Sequence, residues 1–200
     1  MRTVDMLARA LARNSARPFR GTVYRWVNPA FPLPRIGPGP GDCPTAGAYI
    51  EGGRLNAKGA QAPLYAALEP EIVALGVVRY APLPGEDLDS GGRAAARFLV
   101  REGFQFFAIE LELDQVLDLG RHQDLARRYL EADWQDPFAT CQGPHPTVPS
   151  QEHGLAAFMA GFEAVLKLLV FVAEGWGGEA WLLDLFRPRP QQEACWTRLV

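Results

Sequence analysis

The chain has 200 residues, 48% of them hydrophobic, which is enough to bury the core of one domain without crosslinks. Its formal net charge of −3 excludes the positive field that draws proteins onto nucleic acid, so we expect no direct nucleic-acid partner. Its three cysteines, Cys43, Cys141 and Cys195, are too scattered for a disulfide framework or a zinc site, which predicts a cytoplasmic protein with no metal.

The first predicted element is a short amphipathic helix over residues 3–13. Val4, Leu7, Ala8 and Leu11 recur at helical spacing, and arginines occupy other positions of the same segment. The apolar run is too short and too interrupted for a signal peptide. We expect the helix to pack against the domain, the alternative being an arm that binds a partner.

A predicted strand over residues 22–27 and a long loop come next. The strand contains Arg25. Residues 28–48 are rich in proline and glycine, and such a segment offers few backbone donors for regular structure. Long loops in small domains are often functional. We therefore interpret this loop as a flap over a cleft, the alternative being an insertion without a role.

The most informative segment, residues 52–80, has the order of a glycine-bounded polar loop, a short strand and a helix. The loop contains Arg54 and Asn56, and glycines allow its backbone to turn close to a ligand. Arginine presents a planar fork of donors that matches a phosphate group. The strand over residues 63–67 contains Tyr65, and a helix is expected to begin near Pro70. This order would aim an arginine and backbone groups into a cleft.

The remaining elements mix helices and strands without regular alternation, which favours an α+β fold over a doubly wound sheet. Residues 104–113 alternate too little for a half-exposed strand, so we expect that strand to be buried. The most apolar run, residues 164–173, is too short to span a bilayer, and we expect no membrane association. The histidines are scattered, and each is expected at the surface or in a cap. The predicted helices are 93–101, 121–134 and 150–162. The predicted strands are 104–113, 116–119, 165–172 and 180–186. The last two strands are expected to be central in the sheet and to be joined by a glycine turn around residues 175–178.

The segment 52–80 resembles the RES domain, the toxin half of bacterial toxin–antitoxin pairs. The signature of the RES domain is a glycine-arginine-aromatic-asparagine loop that ends in glycine, followed by a Y-x-A strand and a helix that starts with P-E. The resemblance begins at residues 23–25 and returns at 116–119 and 151–162, so it covers roughly residues 20–186. The matching loop, strand and helix residues are Gly53, Arg54, Asn56, Gly59, Tyr65, Ala67, Pro70 and Glu71.

The resemblance implies a single α+β domain with an ADP-ribosyltransferase-like mixed β-sheet core and surrounding helices. This RES-like domain would cover residues 20–190, between an N-terminal helix and linker (1–19) and a C-terminal tail (191–200). The implied activity is degradation of NAD at the nicotinamide–ribose bond, by hydrolysis or phosphorolysis. The family also implies an antitoxin partner that covers the cleft, and a homodimer.

Four residues take site roles through the resemblance. Arg54 would hold the phosphates of NAD, with Arg25 as a second cation and Asn56 in the same binding loop. Tyr65 would contact the nicotinamide side, so that Arg54 and Tyr65 are the catalytic candidates. Each also has an ordinary structural alternative: an ion pair of Arg54 with a nearby acid, a place for Arg25 at a sheet edge, and a buried Tyr65 whose hydroxyl is satisfied.

The sequence departs from the family pattern at three positions. Gly76 occupies the position of the family's glutamate, Leu55 replaces the loop aromatic, and Leu169 stands where a serine is usual. Glu69 and Glu71 lie on the same segment as Gly76 and could replace the missing acid. The alternative is that both are solvated carboxylates at a helix start, where the helix dipole favours them.

These departures leave catalytic competence open. If the lost glutamate is decisive, the chain is a catalytically degenerate relative that binds a nucleotide or a protein. A third interpretation is a plain interaction module that uses Trp176, Trp181 and Trp196, because tryptophans often anchor interfaces.

Overall fold

The strands of the chain form one β-sheet, and helices pack against it. A computed structural model of the chain describes residues 3–14, 16–28, 53, 55–57, 59, 63–70, 72–74, 92–118, 149–173, 176–185 and 196–199. Within these ranges the helices are α1 (Thr3–Leu11), α2 (Gly92–Arg101) and α3 (Pro149–Met159). The strands are β1 (Arg17–Val27), β2 (Leu64–Ala67), β3 (Gln105–Asp118), β4 (Ala164–Ala173), β5 (Trp176–Leu185) and β6 (Trp196–Arg198).

The six strands form one mixed sheet in the order β1-β2-β5-β4-β3-β6, and β1 also pairs with β3. This additional pairing closes the first five strands into a ring and leaves β6 outside β3. Only β3 and β4 run parallel among the pairings that the structure describes. The predicted α+β class is therefore confirmed. No described helix has the length and apolar character to cross a membrane.

The long strand β3 corrects two predictions. The sequence predicted two strands in this region, whereas residues 105–118 form one strand with a register irregularity opposite Arg17 and Phe19 of β1. At this bulge a carboxylate oxygen of Glu163 accepts the backbone N–H groups of Asp114 and Gln115, at 2.8 and 3.0 Å. Those amides are thus satisfied, and the strand continues. The strand is also not wholly buried, because alternate residues are exposed along it.

One core cluster joins the helices α1 and α3 to the sheet. Leu7 and Leu11 of α1 have no solvent exposure, and they pack with Leu117 of β3 and Val165 of β4. Leu55, from the predicted ligand loop, lies fully buried in the same cluster. The expectation that the first helix is a packing helix is therefore confirmed, and its packing reaches the loop.

Two further clusters fill the rest of the described core. One lies along β1, β2, β3 and β4 and includes Val23, Ala66 and Ile109. The other packs Trp26 of β1 against Leu99 of α2 and the helical residues 72–74. Side chains from β1 thus enter both clusters, so the strand that contains Arg25 is held firmly in the fold.

Several sequence predictions are refined or lie outside the described residues. Residues 177 and 178, predicted in a turn, belong to β5 and pair with Val172 and Phe171 of β4. The tryptophans of the interaction alternative lie in β5 and β6. Outside the described residues are the predicted loop from residue 29 to 48, the helix 121–134, the three cysteines, and the histidines at 122 and 145.

Candidate functional site

Tyr65, in the middle of β2, joins the sheet to the predicted ligand loop. Its hydroxyl donates a hydrogen bond to Oδ1 of Asn56 at 2.7 Å and accepts one from the backbone N–H of Leu55 at 3.0 Å. Asn56 has no solvent exposure. Two of the predicted site residues, Asn56 and Tyr65, are therefore in direct contact. The alternative of a buried Tyr65 with a satisfied hydroxyl is borne out for the hydroxyl but not for the burial, because the residue is partly exposed.

The loop itself is closed by a backbone bridge. The N–H of Gly53 donates to the carbonyl oxygen of Asn56 at 2.9 Å, and the two residues pair as an isolated antiparallel bridge. A Cβ atom at position 53 would collide with the Tyr65 hydroxyl, so the close approach of Tyr65 requires glycine there. Gly59 lies further along the loop with a φ of 72°, in the left-handed region that favours glycine. Glycine thus serves two separate physical needs in this loop.

Helix α3 also holds the loop. Gln151 is 9% exposed, and its side-chain amide donates from Nε2 to the carbonyl oxygen of Gly53 at 2.9 Å. One helical turn later, Gly154 lies against the backbone of Leu55, and a Cβ atom at position 154 would overlap the Leu55 carbonyl. Sequence reasoning missed both residues as parts of the site. A glycine inside a predicted helix was the available signal, because it costs helix stability unless something packs against it.

Arg25 of β1 lies next to Tyr65. Its guanidinium donates from Nη1 to the backbone carbonyl of Tyr65 at 2.8 Å. The alternative of a sheet-edge position for Arg25 is wrong, because β1 pairs with β2 on one side and with β3 on the other. The structure therefore brings Arg25, Tyr65 and Asn56 together from β1, β2 and the loop.

The acidic candidates fall in different places. Glu69 follows β2, and its backbone carbonyl accepts the N–H groups of Ile72 and Val73 at 3.2 and 3.4 Å, which starts a helical turn. The expectation of a solvated side chain at this position is wrong in part, because Oε2 of Glu69 is buried without a hydrogen-bond partner in the described part of the chain. Asp184 of β5 is in register with Tyr65 of β2. The register thus places a second acidic residue in the row of the sheet that contains Tyr65.

Some predicted site residues lie outside the described residues. These are Arg54, Glu71 and Gly76. Both chain neighbours of Arg54, Gly53 and Leu55, are described and held by the contacts given above. Among the described residues, no three His, Cys, Asp or Glu side chains group together as metal ligands.

His153 corrects an expectation from the sequence. It lies on α3 between Gln151 and Gly154 and is 1% exposed, whereas a surface or capping position was predicted. The scattered positions of the histidines along the chain contain no signal of this burial, because it results from the packing of α3 against the rest of the domain.

Tyr65→Phe is expected to lower the free energy of unfolding by about 1 to 3 kcal/mol. The change removes the hydrogen bonds of the hydroxyl with the Leu55 N–H and with the buried Asn56 amide oxygen, and the loss of buried hydrogen bonds costs about this amount. Urea unfolding followed by circular dichroism measures the loss.

The control removes a hydroxyl from another ring. In Tyr24→Phe the ring that stacks on Phe106 is retained, so we expect a change below about 0.5 kcal/mol. Equal stability of Tyr65→Phe and the wild type would show that the hydroxyl does not hold the loop.

Comparison with known proteins identifies a fold and no closer relation. No protein-family model matches the sequence, and no curated protein matches it. Among solved structures, a chain from the crystal structure of the M. tuberculosis MbcT-MbcA toxin-antitoxin complex is similar, with a TM-score of 0.56 and 19% sequence identity. The match covers 99% of this chain and 90% of that chain, so the likeness extends over the whole domain.

Proposed function

We propose that this protein is a RES-like domain that binds NAD beside the Gly53–Asn56 loop and degrades it at the nicotinamide–ribose bond. The observation that supports this best is the junction at Tyr65, which contacts Asn56 and Arg25 at once. The resemblance names these three residues, and they come from separate segments of the chain. The likeness in fold to a chain from a toxin-antitoxin complex supports the same proposal.

The contacts of Tyr65 define how it would act on NAD. Its hydroxyl is engaged by Leu55 and Asn56, whereas part of its side chain is exposed to solvent. We therefore assign its contact with nicotinamide to the ring, which can stack on a flat heterocycle. Arg54 and Arg25 would hold the diphosphate, since a guanidinium matches phosphate oxygens in a two-pronged geometry.

Breaking the nicotinamide–ribose bond places positive charge on the ribose, as in glycoside cleavage, and a nearby carboxylate lowers the barrier. The family's glutamate is replaced by Gly76. Within the described residues, Glu69 is the acid on the same segment, and one of its carboxylate oxygens is buried without a hydrogen-bond partner there. A catalytically degenerate domain that binds a nucleotide or a protein is the second candidate, and the glycine at position 76 favours it.

The further parts of the proposal come from the resemblance and, for the location and the absence of a metal, from the composition of the chain. The RES-like domain covers residues 20–190, the protein works in the cytoplasm, and an antitoxin covers the cleft. The domain pairs as a homodimer and uses no metal. An interaction module based on the tryptophans of β5 and β6 is the remaining alternative.

One experiment separates these functions. Purified protein is incubated with NAD, with and without inorganic phosphate, and nicotinamide release is followed by chromatography while NAD binding is measured by calorimetry. Turnover that requires phosphate indicates phosphorolysis, and turnover without phosphate indicates hydrolysis. Binding without turnover favours the degenerate domain, and the absence of both overturns the NAD proposal.

Arg54→Lys is expected to weaken NAD binding by about 1 to 3 kcal/mol, because the single ammonium group of lysine cannot reproduce the two-pronged contact. Calorimetric titration with NAD measures this change. Arg20→Lys is the matched control, since Arg20 is 76% exposed and pairs with Glu112 on the surface. If Arg54→Lys binds NAD as tightly as the control does, Arg54 does not contact the phosphates.

A further inference from the structure

The loop around Arg54 is held on both sides of that residue by different parts of the fold. On one side, Gly53 accepts the hydrogen bond from Gln151 of α3. On the other side, the Leu55 N–H donates to Tyr65 of β2, and the Leu55 backbone lies against Gly154 of α3. The helix and the sheet thus form a clamp on the loop, which we define as Gln151, Gly154 and Tyr65.

Within the clamp, Gln151 supplies a directed contact that packing alone cannot replace. The residue is 9% exposed, and its side-chain amide donates to a backbone carbonyl 98 positions earlier in the chain. The Gly53 carbonyl and its N–H are both used, the carbonyl by Gln151 and the N–H by Asn56. The peptide groups on both sides of Gly53 are therefore each held by a hydrogen bond.

The α3 side of the clamp is itself supported by the first helix. Leu7 and Leu11 of α1 pack in the same fully buried cluster as Leu55 of the loop and Ala157 of α3. Helix α1 itself lies outside the segment of family resemblance. The support of the loop thus extends beyond the residues that the resemblance names.

We propose that Gln151 is a positioning residue that holds Gly53, and with it the backbone of the loop, so that the loop binds the diphosphate of a nucleotide with less loss of conformational freedom. This inference rests on the proposed function. Preorganising a loop raises affinity because less conformational entropy is lost when the ligand binds. Loss of the Gln151 contact therefore weakens nucleotide binding and leaves the chemistry of the bound complex largely unchanged.

The test uses Gln151→Leu in the full-length protein, with Gln151→Met as a second variant should the branched side chain prevent folding. Hydrogen exchange at the Leu55 amide is expected to become about tenfold faster, because local opening of the loop becomes easier. For NAD cleavage we expect KM to rise about tenfold with kcat within about twofold, which is the pattern of a lost binding contribution. If the protein binds NAD without cleaving it, the calorimetric Kd takes the place of KM.

A double-mutant cycle distinguishes positioning from a merely structural role. Arg54→Lys is expected to weaken binding less in the Gln151→Leu background than in the wild type, because two residues that act together give non-additive losses. The matched control is Gln115→Leu, the same substitution at an exposed position of β3, which should leave exchange, KM and the Arg54→Lys effect unchanged.

The possible failures are distinct. If Gln151→Leu leaves the hydrogen-exchange rate of the Leu55 amide unchanged, the clamp is overturned, whether or not the protein binds NAD. Faster exchange with unchanged binding, or additive losses in the cycle, overturns the positioning role of Gln151 while NAD binding by the wild type stands. A wild-type protein that does not bind NAD overturns the proposed function, and the inferred role in nucleotide binding falls with it.

Discussion

Gly154→Ala is expected to destabilise the protein by about 3 kcal/mol, although the same change in most helices is stabilising by up to about 1 kcal/mol. The reason is the contact of α3 with the loop: an added Cβ would overlap the carbonyl group of Leu55, and backbone atoms cannot rotate away as a flexible side chain can. Either α3 or the loop must shift. Urea unfolding measures the loss, and an unchanged m value shows that it reflects the folded state.

The control for this prediction is Gly161→Ala, directly after α3. A Cβ at position 161 meets no atom within 4 Å, so the cost is limited to the left-handed backbone, with a φ of 94°. That cost is about 1 to 2 kcal/mol. We also expect Gly154→Ala to weaken NAD binding, because the loop moves, whereas Gly161→Ala should bind as the wild type does. A Gly154→Ala protein more stable than the wild type would contradict the observed contact between α3 and Leu55.

Gly76→Glu is expected to raise nicotinamide release by on the order of 100-fold if the missing carboxylate limits the reaction. A carboxylate at this position would stabilise the positive charge that develops on the ribose. If the predicted helix includes position 76, glutamate also favours it over glycine by roughly 0.5 kcal/mol. Nicotinamide release at saturating NAD measures the gain, and circular dichroism shows whether the variant is folded.

Gly76→Gln is the matched control, because it adds a side chain of the same length without the charge and should give no gain. A folded Gly76→Glu protein that leaves NAD intact would indicate that the site has changed its ligand or its purpose. Rapid cleavage by the wild type would instead show that another acidic residue stabilises the positive charge on the ribose. Glu69, Glu71 and Asp184, which is in register with Tyr65, would then be the residues to replace by their amides.

The sequence by itself determined most of the described elements, because their signals are local. Helical spacing of apolar residues predicted a helix over 3–13, and Thr3–Leu11 is helical. Runs of apolar residues predicted the strands near 165–172 and 180–186, which appear as the paired strands β4 and β5. A pattern of this kind depends on residues only a few positions apart, so it is visible before any tertiary contact is known.

The bounds of β3 show where a local pattern fails. A break in the pattern near residues 114 and 115 separated two predicted strands, whereas Glu163 satisfies the amides of the bulge and the strand runs through. The acid that bridges the break lies 48 to 49 positions away along the chain. The continuity of β3 therefore depends on a contact that no short window of sequence contains.

The candidate site was likewise predictable in part from the sequence and in part only from the tertiary structure. The residue types and the resemblance singled out Arg25, Asn56 and Tyr65, and the structure brings these three together. Only the tertiary structure decided that the Tyr65 hydroxyl supports the loop and that Gln151 and Gly154 hold it from α3. These contacts join segments up to 98 positions apart, and their energies depend on burial and on distances between atoms. The sequence indicates which side chains and backbone groups are available for the site. The packing of α3 against the sheet determines which of these groups come into contact.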